Sequence, residues 1–109
     1  MAIRKIKERD IQKTIFDYLR RRKILCFKHR NVGIFKKDTG SYIPLPFGEK
    51  GISDIIGCLP SGQFLAIEVK VKGNKPSPEQ EAFILKVKAA GGKAFVAYSL
   101  EDVMRGLDG

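Results

Sequence analysis

Gly51-Ile52-Ser53-Asp54-Ile55-Ile56-Gly57 and, one turn later, Phe64-Leu65-Ala66-Ile67-Glu68-Val69-Lys70 decide the fold, because each is an apolar run with a carboxylate lodged in it. They read as strands at about 52–58 and 63–72, joined by the turn Leu59-Pro60-Ser61-Gly62. The period of two puts Leu65, Ile67, Val69 and Val71 on one face and Phe64, Ala66, Glu68, Lys70 and Lys72 on the other. Glu68 and Lys70 then project side by side, roughly 7 Å apart at Cα by strand rise. Asp54 shares a face with Ile52 and Ile56, so a hairpin of the two strands brings Asp54 and Glu68 to one end of the sheet. Convergent carboxylates repel, and a hard divalent cation with oxygen ligands removes that cost. A lysine beside them suits a phosphate oxygen or an activated water.

The chain has 109 residues, enough for one domain and one core with little apolar surface to spare, so a buried charge must be paired, hydrogen-bonded or bound to a metal. Its formal net charge is +9. Residues 1–50 hold 14 Lys/Arg against 5 Asp/Glu, whereas residues 51–109 hold 7 of each. Such asymmetry points to a polyanion partner, nucleic acid before an anionic membrane surface. No apolar run approaches the roughly 20 residues that span a bilayer, and the N-terminus is charged where a signal peptide is apolar, so an intracellular, cytoplasmic protein is expected. Cys26 and Cys58 lack metal-site spacing and read as reduced core residues.

Outward from the two strands the elements are legible. Ile11, Ile15, Tyr18 and Leu19 predict an amphipathic helix over 8–22 that ends in basic Arg20-Arg21-Arg22-Lys23. Residues 24–30 read as a strand and 31–51, rich in Gly and Pro, as a hairpin or ordered loop. Ser77-Pro78-Glu79-Gln80 offers an N-cap, a first-turn proline and a capping-box glutamine for a helix from 78 to about 90, stopped by Gly91-Gly92. A strand at 93–99 and a terminal helix at 100–107 complete an α/β chain, mixed α+β, with a central mixed sheet flanked by helices in the order α-β-(β)-β-β-α-β-α. Glu8 precedes Ile11, Gln12 and Ile15 at helical spacing and so continues the inward stripe.

Gly51-x-x-Asp54, then Glu68-Val69-Lys70, then Ser77-Pro78-Glu79-Gln80, with a glutamate on a preceding helix, resembles the VRR-NUC domain, the virus-type replication-repair nucleases of the PD-(D/E)XK superfamily. The resemblance runs from Glu8 to the strand at 94–98, as a stand-alone copy, and implies a restriction-endonuclease-like core. It implies that Asp54, Glu68 and the carbonyl of Val69 bind Mg²⁺ or Mn²⁺, that Lys70 is the catalytic lysine, that Glu8 is an accessory carboxylate or second-metal ligand, and that Gln80 is an active-site residue. Proline often stands in this family where this chain has Ser53. Small members resemble Holliday-junction resolvases that act as homodimers on branched DNA, in a bacterial or phage-infected cell, without an organic cofactor.

Gln80 is explained equally by the capping box, and the two roles are exclusive if its side chain turns back to the cap. Glu8 is explained almost as well by the helix dipole. Arg20, Arg21, Arg22, Lys23, Lys28, Arg30, Lys36, Lys37, Lys50 and Lys72 are the expected DNA-phosphate contacts. The alternatives are a nucleic-acid-binding module that has the nuclease fold without activity, and a nuclease acting on flaps or DNA ends.

Overall fold

The computed structural model describes residues 6–29, 33–44 and 48–108, with the backbone alone for 33–36 and 41–44. Helix α1 (Glu8–Arg21) leads into β1 (Leu25–Lys28), and the hairpin β2 (Gly33–Lys36) and β3 (Ser41–Pro44) follows. Then come β4 (Ile55–Cys58), β5 (Phe64–Val69), α2 (Pro78–Ala89), β6 (Lys93–Ala97) and α3 (Leu100–Asp108). One four-stranded sheet has the order β1-β4-β5-β6, antiparallel from β1 to β5 and parallel between β5 and β6. The Gly/Pro-rich segment forms its own two-stranded sheet and does not extend the main one; its residues 31–32 and 45–47, and Arg30 before it, lie outside the described residues.

Both faces of the sheet are covered, which is why its strands are apolar nearly throughout. On one face Leu65, Ile67 and Val69 pack with Ile15 and Leu19 of α1 and Val103 of α3. On the other, Ile56, Ala66 and Ala94 lie under Ile84 and Val87 of α2. The small side chains of Ala66 and Ala94 let α2 seat closely against β5 and β6. Cys26 is buried but Cys58 is exposed, a correction to the core role expected of both: α2 covers the β5 and β6 end of its face and leaves Leu25, Phe27 and Cys58 at the β1 edge open.

Both central strands are shorter than the apolar runs suggest. Asp54 lies just before β4 and Lys70 just after β5, so the two charged groups flank regular pairing at the same end of the sheet. The main-chain groups there are still satisfied: His29 N–H donates to the Asp54 carbonyl at 2.8 Å and Lys70 N–H to the Ala97 carbonyl at 3.0 Å.

The bend into β4 is fixed by Gly51. Its φ of +73° belongs to the left-handed region, and a Cβ there would sit 2.2 Å from the carbonyl oxygen of Glu79 in the first turn of α2. Gly40 has a similar φ of +67° but open space around it. Gly51→Ala is therefore expected to cost clearly more than the roughly 1 kcal/mol of backbone strain that Gly40→Ala carries. Urea unfolding of the two variants measures the difference, and equal costs would mean that the first turn of α2 yields freely.

Candidate active site

The β4/β5 register pairs Ile55 with Ile67, so Asp54 comes opposite Glu68. Asp54 is anchored through one oxygen: Val69 N–H donates to its Oδ2 at 2.9 Å. Glu68 is the one acidic side chain enclosed in the core among the described residues, 1 % exposed. Its Oε1 accepts from Gln80 Nε2 at 2.9 Å and lies 3.5 Å from Lys70 Nζ, while its Oε2 is buried with no partner.

Gln80 corrects the expectation that cap and site are exclusive. Its Oε1 accepts from Ser77 N–H at 2.8 Å and its backbone N–H donates to Ser77 Oγ at 3.1 Å, the reciprocal capping box. The Nε2 end of the same amide then reaches Glu68. An amide carries an acceptor at one end and two donors at the other, so the cap fixes which way round it sits and aims the donor at the carboxylate. Gly51, packed on the backbone of Glu79 and Gln80, ties the approach to Asp54 to the same helical turn.

The electrostatics follow from this enclosure. Burial pushes the Glu68 pKa up to about 8; the neighbouring Asp54 carboxylate adds to the rise by repulsion, and Lys70 opposes it as the nearby cation. A carboxylate pair with one oxygen lacking any partner is a donor set suited to a hard cation. Asp54 and Glu68 are the side chains placed to supply it; Val69, fully buried at the end of β5, enters the site through its N–H on Asp54 Oδ2.

The remaining expected residues fall as follows. Glu8 is half-buried in the first turn of α1. The chain reverses between α1 and β1, which brings Glu8 toward the end of the sheet where His29 bonds Asp54. Among the described residues no three His, Cys, Asp or Glu side chains form a metal-holding group, so Glu8 does not join Asp54 and Glu68 in a triad. Arg20, Arg21, Arg22, Lys23, Lys28, Lys37, Lys50 and Lys72 are all exposed, Lys36 is placed on β2, and Arg30 lies outside the described residues. Sequence reasoning assigned no role to Ser53, fully buried beside Asp54 with an unpartnered hydroxyl, nor to the buried Gln12.

The VRR-NUC domain model matches residues 6–101. A solved structure titled "VRR_NUC domain" is similar to this chain with a TM-score of 0.64 and 23 % identity, over 95 % of this chain and 97 % of that one. No curated protein matches the sequence significantly. Among the described residues no helix is long and apolar enough to cross a membrane.

The raised Glu68 pKa makes stability depend on pH in a definite sense. Between the ordinary carboxyl value of 4.5 and about 8 the folded state holds a proton that the unfolded state has released. Metal-free protein should therefore lose stability as pH rises through that window. Denaturant midpoints in chelator across pH 4.5–8.5 measure it, and Glu68→Gln should flatten the slope; a variant as pH-dependent as the parent would assign the titration to another group.

Proposed function

The chain belongs to the VRR-NUC family, nuclease domains of the PD-(D/E)XK type, and from that premise we propose a divalent-metal-dependent endonuclease that hydrolyses phosphodiester bonds in branched DNA. The observation that carries the reading is Glu68: a buried carboxylate facing Asp54, held on one oxygen by Gln80 and Lys70 and left on the other without a partner. Taking such a group out of water costs several kcal/mol unless something compensates it. A cation shared with Asp54 and the Val69 carbonyl is that compensation, and Mg²⁺ or Mn²⁺ is the ion proposed.

When bound, such an ion supplies Lewis acidity toward a phosphate oxygen and lowers the pKa of an attacking water. The protein supplies the geometry. Val69 N–H fixes Asp54 through Oδ2, and Gln80, immobilised by the cap, keeps Glu68 in place opposite it, so that the two carboxylates would hold the ion together. Lys70, only partly exposed and at the strand end, is placed to pair with a phosphate oxygen and to stabilise the charge that develops on it. Glu8 is proposed as an accessory carboxylate from α1. The basic first half, with Arg20 to Lys23 and Lys28 exposed, supplies the phosphate track.

We propose further that the domain works as a homodimer on four-way junctions, a symmetry suited to two opposed cuts. A monomer by sedimentation at micromolar concentration that still cuts junctions would remove the dimer and leave the nuclease intact. For the chemistry, Asp54→Asn and Glu68→Gln should each lower incision of branched DNA in Mg²⁺ or Mn²⁺ by roughly 100-fold or more, while DNA binding in chelator stays close to that of the parent. Cutting by either variant at the parental rate would overturn the assignment of the site, whereas absence of cutting by the parent would leave the nucleic-acid-binding reading in its place.

A further inference from the structure

A groove of about 330 Å³ lies away from the carboxylate pair, between the outer side of α1 and β1, lined by Arg9, Gln12, Lys13, Phe16, Arg20 and Lys28, with Asp17 at its margin. Arg9, Lys13, Phe16 and Arg20 recur at i, i+4, i+7 and i+11, one stripe along the helix that spans about 16 Å at 1.5 Å per residue. Lys28 faces the stripe from β1. Four cations against one carboxylate make the groove strongly positive, and that carboxylate is loosely engaged with Lys13 at 3.6 Å, both side chains exposed.

Charge alone fits any polyanion, but the aromatic in the middle of the stripe narrows the ligand. Phe16 is half-buried, and the Arg20 guanidinium lies over its ring, 4.9 Å from the centroid. Phe16 packs against the core from below, so the surface on offer is the exposed Arg20 guanidinium backed by the ring, flanked by cations at Arg9, Lys13 and Lys28. Bases inside a duplex cannot reach such a surface, whereas unpaired bases stack on aromatic and guanidinium planes with little regard to sequence.

We infer that this groove is a binding track for single-stranded DNA, with bases against Phe16 and Arg20 and phosphates on Arg9, Lys13 and Lys28. Lys28 on the groove is followed by His29, whose N–H bonds the Asp54 carbonyl, so this side of the track adjoins the end of the sheet that carries Asp54 and Glu68. The inference rests on the nuclease reading for its purpose, and it adds to that reading a contact with unpaired nucleotides at the branch point.

Fluorescence anisotropy in EDTA, with labelled oligothymidylate and a hairpin duplex of equal phosphate number, tests the track independently of cleavage. Phe16→Leu should lower the ratio of single-strand to duplex affinity about tenfold, the loss of one stacked base. Phe16→Tyr, which keeps the ring, should retain the parental ratio. Arg9→Gln and Lys13→Gln should each reduce the salt slope for the single strand by about 0.7. An unchanged ratio in Phe16→Leu, or an equal fall in both Phe16 variants, overturns the track. Failure of the parent to cut any branched substrate in Mg²⁺ or Mn²⁺ would instead overturn the nuclease reading, whatever these affinities are.

Discussion

Everything in this domain is arranged around keeping one carboxylate, Glu68, under a helix. A buried carboxylate in a core this small is tolerable only with partners at fixed positions, and those partners set the rest of the design. Gln80 must sit one turn into α2, so the helix must start at Ser77-Pro78. The first turn of α2 must pass directly over the chain approaching β4, so residue 51 must have no side chain. Asp54 must face Glu68, so β4 and β5 must pair in the observed register; a shift of one residue would turn Asp54 to the opposite face.

The same enclosure shapes the chemistry. Lys70 lies just beyond the strand end and is partly open to solvent, while Glu68 two residues earlier is sealed. In the proposed reaction a substrate phosphate would meet the lysine on the open side of the pair, while the fold encloses the carboxylate, where its field is least screened. The elevated Glu68 pKa is the cost of that placement, because burial and the facing Asp54 together outweigh the pull of Lys70.

The sequence made the framework legible where local signals are strong. The Ser-Pro-x-Gln start of α2, the Gly91-Gly92 stop and the 8–22 stripe each correspond to an element within one or two residues, because caps and helical periodicity act locally. Asp54, Glu68 and Lys70 were legible because charge inside apolar runs has few structural explanations. What escaped depends on contacts between distant segments. Nothing in the chain around Cys58 tells that α2 stops short of the β1 edge and leaves it exposed. Strand ends at Asp54 and Lys70 follow from ladder pairing, which apolar runs of 52–58 and 63–72 overstate. The double engagement of Gln80 needs both the cap and the position of β5, and only the former is written locally.

Helix-capping physics treats Glu and Gln at the third helical position as equivalent, since either side chain can accept from the N-cap N–H. Here they are not equivalent. Glutamate at position 80 would close the cap as well and present a second acceptor, negatively charged, to the one oxygen pair in the core that already has too much negative charge. The helix would form and its hold on β5 would be lost. The choice of amide over acid at this position is thus imposed from across the sheet, and the residue that begins the helix is selected by the strand beneath it.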